Sequence, residues 1–480
     1  MIHDLKPYPA MKDSGVPWLG HVPEHWEVRS LGSLTRARSE RGRADLPLLS
    51  VVREKGVILR DLENSEGNHN FIPDDLSNYK VVREGNLVVN KMKAWQGSMG
   101  LAPLAGIVSP AYFVFDFDIQ NRLFGQALLR SKPYVGFFAR ASDGVRIGQW
   151  DLSIDGMKRI PVVIPSPAEQ AAIVRFLDHP DRRIRRTIAA KQRLIKLLQE
   201  QKQVIIHQAV TRGLDPDVKL KPSGVEWLGD VPEGWEITKL GRVVQLTTGF
   251  PFKSEGFSQS EEDIRLLRGI NVNPGNIRWE EFVRWPAPER YKYSSFELAQ
   301  DDLVIGMDRP IVSNGVRAAA ITANDLPSLL VQRVARLRAS SSLVVKFALY
   351  VLQGKGFSDY LTPIFTGISV PHLSPEQIKS FIFAVPTVAE QQRILSFIDK
   401  ETDIANQAIS RAHIEIALLR EYRTRLIADV VTGKLDVREA VAGLPELDAE
   451  PLSDDLELED GELEGEEAEA EADASEVVEA

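Results

Sequence analysis

The stretch "SGVPWLGHVPEHWEVRSLG", residues 14–32, recurs as "SGVEWLGDVPEGWEITKLG" at residues 223–241. Aligned without a gap, thirteen of the nineteen positions are identical, among them Trp18 with Trp227, Pro23 with Pro232 and Trp26 with Trp235. A period near two hundred residues is far longer than a solenoid unit, so it marks two copies of a whole domain with its connecting segment. A second block repeats as well. "VIPSPAEQAAIVRFLD" (163–178) aligns with "AVPTVAEQQRILSFID" (384–399) at an offset of 221, and the alignment runs on to "AVTRGLD" (209–215) over "VVTGKLD" (430–436). The first block has an offset of 209, so the stretches between the blocks, roughly 33–160 and 242–381, differ by twelve residues, and they share little sequence. The chain therefore reads variable, fixed, variable, fixed.

The second fixed block predicts helices. Pro165 and Pro386 stand just before "AEQ", where proline suits a helix start and an acidic side chain suits the positive end of the helix dipole. Behind them Ile188, Ile195, Leu198 and Ile205 follow a heptad seam, and Ile409, Ile416, Leu419 and Leu426 repeat it in the second copy. A helix packed on its own globular neighbour would show the same stripe. Two copies from one chain can instead pair with each other. About 27 residues at roughly 1.5 Å each would form a rod on the order of 40 Å. The expected fold is α/β: two α/β domains separated by two long helices that pair as an antiparallel coiled coil, with approximate two-fold symmetry.

The variable stretches have a different texture. "YKVVREGNLVVNKMKAWQGSMGLAPLAGIVSPAYFVFDFD" (79–118) and "ELAQDDLVIGMDRPIVSNGVRAAAIT" (297–322) alternate β-branched and aromatic runs with Gly, Pro and Asn turns, which predicts compact strand-rich domains. Each sets polar and basic residues among glycines soon after an apolar strand: Lys91, Lys93, Trp95 and Gln96 in the first, Arg309, Ser313, Asn314 and Arg317 in the second. Such side chains can read base edges, Arg and Lys suiting guanine and Gln and Asn suiting adenine. Ordinary solvated turns would use the same residues.

Charge must be divided by region to be informative. The 480 residues carry a net charge of -10, yet from Glu439 onward there are eighteen Asp and Glu and no Lys or Arg. Residues 1–438 thus hold 58 basic against 50 acidic side chains, a body of +8 that permits binding to phosphate backbones. The acidic end is too charged and too poor in large apolar residues to build a core, and is expected to be disordered. There is no cysteine, which excludes disulfides and cysteine-ligated metal sites and suits a reducing cytoplasm. No run approaches eighteen uninterrupted apolar residues, so neither secretion nor membrane spanning is expected.

The order of these pieces, "SGVxWLGxVPExWEV", a variable domain, a "PSPAEQ" or "PTVAEQ" helix and "AVTRGLD" or "VVTGKLD", run through twice, resembles the DNA-specificity subunit of type I restriction-modification systems over residues 14–440. The resemblance implies target-recognition domains at 25–162 and 223–383, conserved helical spacers at 163–222 and 384–440, an N-terminal segment at 1–24 and an acidic tail at 441–480. Each recognition domain would read one half of a split double-stranded DNA target, with the helices as the ruler between the halves. The runs "LLVQRVARLR" (329–338) and "GISVPHLSPEQIKSFIFAVP" (367–386), and "GVRIGQWDLSIDGMKRIPVVIP" (144–165) in the first domain, are similar to parts of such domains and add Arg333, His372 and Arg146 to Arg317 as DNA-facing candidates. The first domain departs from the common pattern at Lys91 to Met99. Expected partners are two methyltransferase subunits and the endonuclease and translocase subunits. The chain itself would bind no cofactor, S-adenosylmethionine, ATP and magnesium residing on those partners.

Enzymatic readings find no motif. The string nearest an adenine-methyltransferase signature, "SPAY" (109–112), lacks the acid or amide and one proline, and no G-x-x-x-x-G-K-[ST] phosphate loop exists. His21, Glu24 and His25 match the H-x-x-E-H spacing of a zinc peptidase, but Pro23 interrupts the helix this chemistry needs and the second copy has Asp230 and Gly234 instead. No metal site is expected. The reading from a different class is a helical scaffold or adaptor of a phage-defence complex whose variable domains bind protein.

Overall fold

The computed structural model describes residues 5–53, 55–60, 75–146, 149–312, 315–365 and 371–444, with the side chains of Val145, Arg146 and Gln149 left aside. Two long helices dominate, α1 (Pro167–Arg212, 46 residues) and α2 (Val388–Val431, 44 residues). Their starts are built alike. The Ser166 hydroxyl accepts the Glu169 amide and the Thr387 hydroxyl accepts the Glu390 amide, capping donors that the first turn leaves without a partner. Their ends are also alike: Gly213 (φ 78°) and Gly433 (φ 77°) take the left-handed conformation that closes a helix. Both helices exceed the expected 27 or so residues because they begin at the "AEQ" block and, in α1, run on through Pro180. An interior proline costs about 3 kcal/mol. Ile173, Phe176, Leu177 and Ile184, buried on either side of it, hold the flanking turns in place.

The described residues divide into two units, 5–192 with 413–444, and 193–412. In the first unit, α1 and α2 run antiparallel: Arg423 pairs with Asp181, and Lys191 with Glu415. Its four-stranded antiparallel sheet uses β1 (Thr35–Arg38), β2 (Leu87–Asn90), β3 (Met99–Leu101) and β4 (Tyr112–Phe117) in the order β1-β4-β2-β3. The core beneath it joins Leu87, Phe115, Phe124, Tyr134 and Phe138 to Val22 and Trp26 of the repeated motif, to Val430 and Val431 at the end of α2, and to Val437 beyond it. Residues 5–24 belong to this core through Tyr8, Leu19 and Val22. Against the same core, Arg438–Ala442 forms a short helix and Leu444 is buried, while residues 445–480 of the expected tail lie outside the described residues.

The second unit repeats the plan with other side chains. Strands β5 (Val244–Thr248), β6 (Leu303–Gly306), β7 (Ala318–Ala320) and β8 (Val334–Ala339) form an antiparallel sheet in the order β5-β8-β6-β7. Beside it lies a three-stranded sheet of Arg284–Trp285, Ile264–Leu267 and Ser328–Leu330. Lys202 of α1 donates to Asn406 of α2. Val231 and Trp235 of the second motif copy pack on Ile206, Ala209 and Val210 at the end of α1, as Val22 and Trp26 pack on the end of α2. The motif is present twice because each unit closes one copy of it over the end of one long helix.

The repeated glycines Gly32 and Gly241 show how closely this closure is fitted. A β-carbon at Gly241 would lie 2.7 Å from Cβ of Lys379, and one at Gly32 would lie 2.8 Å from Cβ of Lys158. These neighbours are stem atoms that cannot rotate away. Gly241→Ala is therefore expected to cost about 1–3 kcal/mol by forcing two backbones apart, read as a lower urea midpoint of the second unit.

Candidate nucleic-acid interface

In the second unit three chain segments meet beyond the end of β6. The Met307 amide donates to the Arg333 carbonyl (2.8 Å), the Leu373 amide to the Met307 carbonyl (2.7 Å) and the Arg309 amide to the Pro371 carbonyl (2.8 Å). On this backbone lattice Asp308 holds two side chains by one carboxylate, Nη1 of Arg333 at 2.7 Å and Nδ1 of His372 at 2.6 Å. Arg309, Arg333 and His372 are exposed. Arg309 (φ 43°) and Arg333 (φ 66°) sit in the left-handed region, which side-chain-bearing residues avoid at a cost of about 1–3 kcal/mol and which clusters at functional sites. Arg333 and His372 thus share a carboxylate that the sequence alone did not single out, and the backbone of Arg309 is tied to the same segment through Pro371.

Arg317 has a different place. Its half-buried guanidinium donates Nε to the Val272 carbonyl (3.0 Å), Nη1 to the Asp308 carbonyl (3.4 Å) and Nη2 to the Gly269 carbonyl. It ties the segment before β7 to the segment carrying Asp308, so its charge is aimed inward. Ser313 and Asn314 lie outside the described residues.

In the first unit the equivalent turn follows β2. Lys91 pairs with Asp151 at 2.5 Å, and the Leu152 amide donates to the Lys91 carbonyl, the tie that Leu373 makes to Met307 in the second unit. Ala94–Gln96 form one 3-10 turn, closed by Trp95 Nε1 donating to the Met92 carbonyl, and the Trp95 ring leans on Trp150 with centroids 5.0 Å apart. Lys93 is exposed, and Trp95 and Gln96 are half-buried. Lys91, Lys93, Trp95 and Gln96 thus share one turn. Arg146 ends the strand Ser142–Arg146, and its side chain is outside the described residues. Asp151 and Trp150, which fix the turn, were not singled out from the sequence. A carboxylate beside a lysine in the same polar loop was the available signal.

Burial of the Asp308 carboxyl pushes its pKa up, but hydrogen bonds from His372 and Arg333 outweigh this and hold it below the ordinary carboxylate range. A depressed folded pKa contributes stability that is complete above the unfolded value near 3.9 and lost as pH falls through the folded value. Asp308→Asn is therefore expected to flatten the loss of urea stability between about pH 5 and pH 3 in the second unit. Equal acid limbs in both proteins would contradict this.

The zinc-like spacing is explained by its geometry. His21 lies on the strand His21–Pro23, and His25 Nε2 is 2.8 Å from Oε2 of the buried Glu169, which also accepts the Tyr8 hydroxyl at 2.7 Å. Among the described residues no group of three His, Cys, Asp or Glu side chains could hold a metal ion, and no helix is long and apolar enough to cross a membrane.

The seam residues divide by depth. Ile188, Ile416 and Leu426 in the first unit and Ile195 in the second are buried, whereas Leu198, Ile205, Ile409 and Leu419 are half-buried. Other apolar side chains on the same helices face solvent: Ile414, Leu418 and Tyr422 in the first unit, Leu194, Leu197 and Val204 in the second.

Fold and site together define a duplicated chain of two like-built units, each with one polar loop cluster beyond its central sheet. No protein-family model matches it. The specificity subunit of the type I restriction enzyme EcoAI from Escherichia coli is 34% identical over 179 residues, which span 37% of this chain and 30% of that one. The specificity subunit of the type I restriction enzyme MjaVIII from Methanocaldococcus jannaschii is 24% identical over 435 residues, 87% of this chain and 94% of that one. A solved chain from a type I R-M system shares the fold with a TM-score of 0.57 at 16% identity, covering 86% of this chain and 99% of that one. The chain is thus similar to specificity subunits of type I restriction enzymes, to one of them over a short span and to the other over most of its length.

Proposed function

We propose that this chain is the non-catalytic, DNA-reading subunit of a type I restriction-modification complex, each unit recognising one half of a bipartite double-stranded target. The observation that carries the reading is the common sheet order of the two units, on which the same backbone tie presents different polar groups: Lys91, Lys93, Trp95 and Gln96 in one, Arg309, Arg333 and His372 in the other. A common scaffold with unlike side chains at equivalent loops suits two unlike half-sites. Apolar side chains left in solvent on both long helices suit protein partners, in this reading two methyltransferase subunits followed by the endonuclease and translocase subunits. Those partners would supply S-adenosylmethionine, ATP and magnesium, and the complex would work in the cytoplasm. The scaffold reading, in which the variable domains touch no DNA, is not favoured by relatives that are specificity subunits.

The test is duplex binding by the chain assembled with its methyltransferase, measured against salt. Neutralisation of several phosphates predicts a linear fall of log K with log salt at a slope of about -0.9 per contact. A complex with no measurable affinity for any duplex would contradict the reading.

A further inference from the structure

The two units build the same turn at the end of the same strand, so their side chains can be compared place by place. β2 and β6 hold the same position in their sheets, and "NLVVNKMK" (86–93) lies over "DLVIGMDR" (302–309) without a gap. Met92 therefore stands where the second unit has Asp308, and Lys93 where it has Arg309. Strand register supplies the rest. Tyr112 opposes Asn90 as Val334 opposes Gly306, so Ala111 takes the place of Arg333. The Leu152 amide donates to the Lys91 carbonyl as the Leu373 amide donates to that of Met307, so Asp151 takes the place of His372. The carboxylate of the second unit and both side chains that it orients are thus replaced, by a methionine, an alanine and an acid that pairs with Lys91.

Met92 is 57% exposed. Single exposed apolar side chains are ordinary on protein surfaces. This one is distinguished by the way its backbone is held. Its amide donates to Asn90 Oδ1 and its carbonyl accepts Trp95 Nε1, both at 3.1 Å. The Lys93 amide donates to the Asn90 carbonyl at 3.2 Å, and Ala94 is fully buried. Both backbone groups of Met92 are engaged, so the turn presents an apolar side chain from a fixed point. In the same turn the half-buried Trp95 leans on Trp150, and Lys91, Lys93 and Gln96 carry the polar groups. An apolar tip between two lysines fits an apolar group flanked by phosphates. In the major groove that group is the 5-methyl of thymine.

We propose that Met92 is a specificity-determining residue that reads a thymine in the half-site of the first unit by apolar contact with its 5-methyl group. The proposal rests on the reading of this loop as a DNA face and adds the chemistry of one contact to it. Unpaired charge is absent at the equivalent of the Asp308 cluster, so the two half-sites are read by unlike chemistry: a methyl group in the first, polar contacts from Arg333 and His372 in the second.

The test is a titration of the full chain, assembled with its methyltransferase, with its cognate duplex. Each thymine of the half-site assigned to the first unit is replaced singly by uracil, which removes the methyl group and keeps the pairing. At one position the unaltered complex is expected to lose about fourfold in affinity, the effect of leaving one methyl group in water. Met92→Ala should bind the unsubstituted duplex at least that much more weakly and lose nothing further at that position, while Met92→Leu should keep the sensitivity. Lys93→Gln should weaken thymine and uracil duplexes alike. An unchanged urea midpoint for Met92→Ala separates lost contact from lost fold. A half-site with no thymine on either strand, binding indifferent to every uracil, or methyl sensitivity that survives in Met92→Ala would overturn the proposal and leave DNA reading by the unit intact. A complex that binds no duplex would overturn both.

Discussion

Replacing Arg333 and His372 together with alanine is expected to reduce affinity for the cognate duplex by roughly 5- to 150-fold, the effect of losing about 1–3 kcal/mol of directed contact, and to relax discrimination in one half of the target only. The expectation follows from the way Asp308 positions both groups beyond β6 while leaving them exposed. Asp308→Ala should produce a smaller loss of affinity with a wider spread of tolerated sequences, because Arg333 and His372 both remain but lose their common orientation. Arg317→Ala provides the contrast. Its guanidinium is held by the carbonyls of Gly269, Val272 and Asp308, so its removal should lower stability and leave the salt slope of DNA binding unchanged. Fluorescence anisotropy on the cognate duplex and on duplexes altered in one half at a time separates these outcomes. Equal losses for changes in both halves after the double replacement would contradict the assignment.

Gln391→Ala is expected to destabilise the second unit by about 3–4 kcal/mol, and Gln170→Ala to destabilise the first by about 3 kcal/mol. Gln391 is fully buried at the start of α2. Its Oε1 accepts the Val344 amide at 2.7 Å, and its Nε2 donates to the carbonyls of Ser342 and Pro386, each at 2.9 Å. Alanine would leave three buried backbone groups without partners and open a cavity. Gln170 does the same work in the first unit, accepting the Asn121 amide and donating to the Pro165 carbonyl, both at 3.0 Å. Urea unfolding followed by circular dichroism should show each variant shifting a different part of the transition. A loss under 1 kcal/mol for Gln391→Ala would show that the "AEQ" amide is dispensable to the fold.

These glutamines illustrate what could be read from the chain alone. "AEQ" occurs twice at the same offset, and both copies do start helices, because the capping side chain, the acidic first turn and the amide are local features. Helix length was less legible. An interior proline disfavours a continuous helix, and the burial of Phe176, Leu177 and Ile184 around Pro180 holds it together. The seam was read in heptads, whereas an α-helix drifts about 20° per heptad. Ile206 and Ala209 are consequently deeper than Ile205, and Leu198 is only half-buried.

The site was legible in part for a related reason. Arg309, Arg333 and His372 were each read from short strings, but their convergence depends on Asp308, which lies 64 residues from His372 in sequence. A carboxylate in a loop read as basic looks out of place until the two side chains that it orients, Arg333 and His372, are seen. Arg317 was read as DNA-facing because it stands in a polar, glycine-containing loop, yet carbonyls from another segment hold its guanidinium. The matching sheet orders of the two units were hidden because their strands share alternation of apolar residues but almost no identities.

The central claim is that one chain carries two independent DNA readers. It is tested most directly by sequencing methylated adenines, molecule by molecule, in DNA from cells that express this chain with its methyltransferase and from cells that lack the chain. The account predicts a split motif present only with the chain, one half of which changes when residues 33–160 are exchanged for the corresponding stretch of another such subunit while the other half stays the same. No chain-dependent methylation from an assembled complex with a competent methyltransferase, or a motif whose two halves both change on that exchange, would contradict it.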